Sequence, residues 1–155
     1  MPNPVAIGET APQTALPAQV DIYDFDKTLV PFDSGSLFIG YCALHYPWVL
    51  VYLPVWFIAC LLFALRILSL QKFKNLCFGF LPLVPVQRAA KGFWEKHLHQ
   101  VYPWFTQKKR PAVIISASPD FLLEELQRRL GLPYLLCTRH NPKTGRILGD
   151  RKSVV

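Results

Sequence analysis

The chain has 155 residues and a formal net charge of +7, with 52% hydrophobic and only 17% charged residues. That length suits one domain of moderate size. Cys42, Cys60, Cys77 and Cys137 show no paired ligand spacing and three of them lie in apolar context, so small buried hydrophobes are expected rather than a metal site.

Residues 1–18 are rich in Pro, Ala and Thr, with neither a basic start nor an apolar run, so a disordered tail is expected rather than a signal peptide. Val20 to Leu29, Val-Asp-Ile-Tyr-Asp-Phe-Asp-Lys-Thr-Leu, begins as a β-like run. Its period of two places Asp24 and Asp26 on one face, and a turn at the strand end brings both carboxylates to one crevice just before Thr28. Two acids so placed can divide the work of phosphoryl transfer: one attacks phosphorus, the other moves a proton to and from the leaving oxygen. Asp33, followed by Ser34, suits either a helix N-cap or a substrate contact.

Residues 34–65 contain no Asp, Glu, Lys or Arg. Within them Trp48 to Leu65 has the length and apolar character of a membrane-contacting helix, with Trp48, Tyr52 and Trp56 as aromatic-belt residues and Arg66, Lys72 and Lys74 as cationic flanks. A single complete crossing would put Asp24 and the later strand on opposite sides of the bilayer. The next apolar stretch, Leu76 to Val86, is short and broken by Gly79, Pro82 and Pro85. A re-entrant or interfacial helical hairpin is therefore expected, with Pro47 and Pro54 as bends. Residues 34–110 hold nine Lys or Arg against Glu95 alone. These cations border apolar helices instead of a polar groove, which favours an anionic lipid surface over nucleic acid. His97 and His99 are two apart and do not share a helix face.

Pro111 to Pro119, Pro-Ala-Val-Ile-Ile-Ser-Ala-Ser-Pro, reads as a buried strand ending on Ser116. Ser118 and Pro119 then read as the N-cap and first position of a helix whose Leu122, Leu123, Leu126 and Leu130 form one stripe before Gly131. A hydroxyl at a strand's carboxyl end beside a helix start is a good phosphate contact. Tyr134 to Thr138 and Arg146 to Leu148 read as a hairpin, with Asn141 and Gly145 in its turn.

Strand, acidic loop, long insertion, strand, hydroxyl and helix together resemble the haloacid dehalogenase superfamily of phosphotransferases, over Val20 to Asp33 and Ala112 to about Gly149. The resemblance implies an α/β, Rossmann-like core at 19–33 and 111–149, interrupted by an all-helical, strongly apolar cap at 34–110. It implies Asp24 as nucleophile, Asp26 as general acid/base, Ser116 as a phosphoryl contact, and Thr28, Asp33 and Ser118 as substrate contacts. It also implies Mg²⁺ held by the Asp24 carboxylate and the Asp26 carbonyl, and an aspartyl-phosphate intermediate. A lysine and further metal-binding acids belong to that pattern; Lys152 and Asp150 match them poorly, so the core is expected to be incomplete and 150–155 to be a non-native tail.

The cap's place after the first motif is similar to the phosphoserine-phosphatase-like branch, and its apolar character resembles phosphatidylglycerophosphatase C-type proteins. The expectation is a Mg²⁺-dependent phosphatase of a lipid phosphate at the cytoplasmic face of the inner membrane. A soluble cytoplasmic phosphomonoesterase and an inactive membrane-bound fragment are the alternatives.

Overall fold

The computed structural model describes residues 19–154, and their side chains through Leu148; the expected tail at 1–18 lies outside the described residues. Four strands form one sheet in the order β1-β2-β3-β4: β1 (Asp21–Asp24), β2 (Ala112–Pro119), β3 (Tyr134–His140) and β4 (Ile147–Val154). The first three are parallel, with Asp24 level with Ile115, and β4 returns antiparallel to β3. Parallel strands need a crossover, supplied between β2 and β3 by a helix at Asp120–Leu130. The carboxyl ends of β1, β2 and β3 thus share one edge of the sheet. Binding crevices of open α/β sheets lie along this edge.

Between β1 and β2 the chain is helical: α1 (Ser34–His45), a 3₁₀ stretch (Pro47–Tyr52), α2 (Leu53–Ala64), α3 (Leu70–Cys77), a 3₁₀ turn (Leu81–Leu83), α4 (Val86–His97) and a short α5 (Pro103–Thr106). The crossover helix is α6 (Asp120–Leu130), which ends at Gly131 in the left-handed conformation that its missing Cβ permits. One apolar core joins both parts of the chain: Phe25, Phe38, Phe93, Trp94, Ile114, Phe121 and Leu122 are all at most 1% exposed. Aromatic edges meet faces within it, Phe25 against Trp94 and Phe38 against Phe93. The Trp94 indole N–H donates to the Leu122 carbonyl at 2.8 Å, so the one polar atom of that buried ring has a partner.

Three local expectations change. β2 runs through Pro119 and α6 starts at Asp120, because the Ser118 hydroxyl bonds Asp26 instead of capping the helix. Pro47 and Pro54, expected as bends, stand in the first turns of helical segments, where a missing N–H costs nothing. Trp48, Tyr52 and Trp56, read as belt residues, turn their donors inward. The Trp48 indole bonds the Leu83 carbonyl, the Tyr52 hydroxyl that of Gly79 and the Trp56 indole that of Cys77, each at 3.0 Å. Their spacing of four puts them on one helical face, which staples Pro47–Ala64 to the carbonyls that α3 and the following turn leave unpaired.

The opposite face is apolar and open. Val51, Leu53, Phe57, Ile58, Leu61 and Leu65 are all at least half exposed, and only 11% of Pro47–Ala64 is buried. It is long and apolar enough to cross a membrane by length and composition. A core helix of a soluble protein would be mostly buried.

The expected hairpin is present. The Asn141 side chain accepts from the Lys143 and Thr144 N–H groups at 2.9 and 3.2 Å, and Gly145 N–H donates to the Asn141 carbonyl at 2.7 Å. Gly145 has φ +68°, and a Cβ there would lie 2.8 Å from Pro82 Cδ, so turn shape and contact with the inserted helices both require glycine. The backbone of 150–154, read from sequence as a tail, continues β4, with Val154 level with Leu136. The side chains of Asp150 and Lys152 lie outside the described residues.

Candidate active site

The loop after β1 is anchored by Phe25, whose fully buried ring plugs the core between Asp24 and Asp26. Leu29 and Thr28 N–H groups bond the Phe25 carbonyl at 2.9 and 3.2 Å, and Lys27 takes a positive φ of 59° to reverse the chain. This turn carries Asp26 toward the amino end of α1. Asp33 caps that helix, its carboxylate accepting from Ser36 N–H at 2.9 Å.

Asp26 is the hub of the site. One of its oxygens accepts from Ser34 N–H at 2.9 Å and the other accepts from the Ser118 hydroxyl. Ser118 Oγ lies 2.9 Å from the fully buried Ser34 Oγ. The Ser118 proton thus has two acceptors within reach, and turning it to Ser34 frees an Asp26 oxygen for proton transfer to a bound oxygen. Ser116, 2% exposed, accepts from Ser118 N–H at 3.1 Å, which fixes the bulged end of β2.

Asp24 ends β1 level with Ile115, the last residue of β2 before its register with β3 shifts. Its carboxylate is exposed, and one oxygen accepts from Phe25 N–H at 2.8 Å. Thr28 is exposed on the outer side of the loop. A cavity of about 450 Å³ opens beside Asp26. Asp26, Asp33, Ser118 and Lys74 line its polar end, and Ile39, Trp56, Cys60, Leu70, Phe73 and Phe78 its apolar remainder. Neither Asp24, Thr28 nor Ser116 lines it. The structure therefore brings Asp26, Asp33 and Ser118 to one cavity, sets Ser116 beneath them and leaves Asp24 at the neighbouring strand end.

Three contributors were not assigned from the sequence. Ser34 had only its place beside Asp33, although a small hydroxyl at the first residue of a helix is a signal in itself. In the sequence Lys74 reads as a membrane flank. The apolar wall comes from residues whose hydrophobicity was visible but whose destination depended on the fold.

Among the described residues no group of three or more His, Cys, Asp or Glu side chains converges on one point. The donors present still suit a hard cation: Mg²⁺ binds through one or two carboxylates and completes its shell with water and substrate phosphate. An exposed Asp24 carboxylate with one oxygen outside its backbone hydrogen bond meets that requirement.

A family model of haloacid dehalogenase-like hydrolases matches residues 22–155. The chain belongs to the haloacid dehalogenase-like hydrolase family. The match takes in both aspartates, the helical insertion and the β2–α6 unit, so this hydrolase's sheet edge is the expected place for its chemistry. The fold is also that of a crystal structure of a protein of unknown function from Bordetella pertussis Tohama I, with a TM-score of 0.67 at 17% identity. The likeness covers 84% of this chain and 66% of that one, so the hydrolase spans just under two thirds of its structural neighbour's length. No curated protein matches the sequence.

Proposed function

We propose that this hydrolase is a Mg²⁺-dependent phosphatase that removes a terminal phosphate from a lipid head group such as phosphatidylglycerophosphate, through an aspartyl-phosphate on Asp24. The observation that carries this reading is the cavity: its polar end holds Asp26, Asp33 and Ser118, and its wall is built from Trp56, Cys60, Leu70 and Phe73 of the open apolar α2–α3 hairpin. A head group and the first part of an acyl chain make opposite demands on a site, and this cavity has a matching end for each.

In the proposed reaction an Asp24 carboxylate oxygen attacks phosphorus, and the bond from phosphorus to the glycerol oxygen breaks. Asp26 gives its proton to that leaving oxygen. It then takes a proton from water, which attacks the phosphorus of the acyl phosphate, releasing orthophosphate and restoring the Asp24 carboxylate. Ser118 holds the phosphoryl oxygens and the acid/base, and Ser116 fixes the backbone of Ser118 from beneath. Mg²⁺, when bound by the Asp24 carboxylate and the Asp26 carbonyl, supplies charge neutralisation for the moving phosphoryl group.

The open face of Pro47–Ala64 supports a peripheral, half-embedded placement. Its other face is hydrogen-bonded to the protein along its length through Trp48, Tyr52 and Trp56, so the helix lies against the body of the molecule and offers one side to lipid. Arg66 and Lys72, both exposed, follow that face and suit an anionic leaflet. The proposed location is the cytoplasmic face of the inner membrane.

The test is phosphate release from phosphatidylglycerophosphate in vesicles with Mg²⁺, for wild type and Asp24→Asn. Loss of the nucleophile is expected to lower turnover by at least about 10³-fold. Equal rates in the two proteins would remove Asp24 from the mechanism, and hydrolysis confined to soluble phosphomonoesters would favour the phosphoserine-phosphatase-like alternative.

A further inference from the structure

Phosphoryl transfer brings together a nucleophilic carboxylate and a phosphate dianion, and a site built only from acids and hydroxyls repels its own substrate. Among the described residues that line the cavity, Lys74 is the one Lys or Arg. It sits on α3, within the helical insertion, far in sequence from both halves of the sheet. Its ammonium donates to the Ala117 carbonyl at 3.3 Å, between Ser116 and Ser118 at the carboxyl end of β2. That carbonyl is available because β2 loses register with β3 between Ile115 and Pro119; its other partner is the Thr138 hydroxyl at 3.1 Å. Among the described residues Lys74 forms no ion pair, although Asp26 and Asp33 line the same cavity. The cation therefore stands at the polar end of the cavity on a neutral carbonyl, a contact an incoming anion outcompetes.

The position of Lys74 is set by its neighbours on the helix. Gln71 Nε2 donates to the Ile147 carbonyl at 2.7 Å, and Ile147 N–H donates to Asn75 Oδ1 at 2.7 Å. These two amides are four residues apart on one face of α3 and take both backbone groups of the first residue of β4. A helix face so clamped to a strand is fixed in rotation and in height. Ile147 is itself buried and lines the cavity, so the clamp and the cation belong to one wall.

We propose that Lys74, delivered by the inserted helices and held by the Gln71–Ile147–Asn75 clamp, is the cation that receives the phosphoryl group of the substrate. This rests on the phosphatase reading above. It makes the insertion part of the phosphate site as well as its cover, and it ties the charge of the site to the docking of α3: when α3 leaves β4, the positive charge leaves with it.

The probe is inorganic phosphate, measured by titration calorimetry on the full chain, together with hydrolysis of p-nitrophenyl phosphate. Lys74→Met is expected to weaken phosphate binding by about 10–100-fold, the range for a hydrogen bond to a charged group, and to raise KM by a similar factor. Lys74→Arg is expected to recover part of both. Lys143→Met, exposed on the β3–β4 turn and outside the cavity, is expected to change neither. Gln71→Leu is expected to weaken phosphate binding while circular dichroism shows the helices intact.

Wild-type phosphate affinity in a folded Lys74→Met protein, or an equal loss in Lys143→Met, would overturn the assignment. So would a wild-type protein that binds no phosphate at millimolar concentration. Failure of the underlying reading is separately visible: activity that survives Asp24→Asn removes the aspartyl mechanism whatever Lys74 does, whereas loss in Asp24→Asn with no change in Lys74→Met removes Lys74 alone.

Discussion

At the scale of single residues, the site depends on who holds the proton between Asp26, Ser118 and Ser34. Ser34→Ala removes the second acceptor for the Ser118 hydroxyl and fixes that proton on Asp26. The expected outcome is a fall in kcat of about tenfold or more with little change in KM, read from steady-state phosphate release. Glu125 carries a different burden. Burial opposes its charge, but hydrogen bonds from Arg128 and Arg129 outweigh that and hold its carboxyl below the usual range. A depressed folded value means the pair stabilises the fold above the ordinary Glu range and is lost as pH falls through the folded value. Glu125→Gln should therefore lower stability by about 1–2 kcal/mol near neutral pH, with the gap to wild type closing below about pH 4.5 in urea titrations. The paired aspartates were legible in the sequence because strand period alone places them on one face. Ser34 and Lys74 were not, since what a hydroxyl or a lysine touches is decided by elements far away in the chain.

At the scale of elements, the sequence separates well where local chemistry decides and poorly where a distant partner does. The Leu stripe of α6 with Gly131 after it, the Asn141–Gly145 turn and the β-branched run of β2 all form where their patterns put them. The start of α6 moved because Ser118 found Asp26, a partner 92 residues earlier. The aromatic triad moved for the same reason: three rings with the spacing of a membrane belt turned their donors to carbonyls of residues 77–83. Two experiments follow. Phe57→Glu with Ile58→Glu, on the open face, should abolish flotation with anionic vesicles while leaving the melting temperature within a few degrees; unchanged flotation would detach α2 from lipid. Gly145→Ala should cost more than about 1 kcal/mol, because it meets both a positive φ and the Pro82 contact, and a neutral result in thermal unfolding would show that the hairpin does not press on the insertion.

At the scale of the whole molecule, the inserted helices and the sheet are one structure, because Trp94 and Phe38 from the insertion share a core with Phe25, Ile114 and Phe121 from the sheet half. That joint core is why the fold class was readable from two separated motifs while the cavity was not: its polar rim comes from the loops at the strand ends and from Lys74 of α3, and its apolar wall mostly from helices α2 and α3 that only the packed molecule brings over them. Those two halves are proposed to serve one substrate, a phosphate on an apolar anchor. The direct measurement is kcat/KM for phosphatidylglycerophosphate in vesicles against that for glycerol 3-phosphate and phosphoserine in solution, under one Mg²⁺ concentration. The lipid should be preferred by about 10²-fold or more, from burial of even a few methylenes along the α2–α3 wall. Equal or greater specificity for the soluble esters would contradict it.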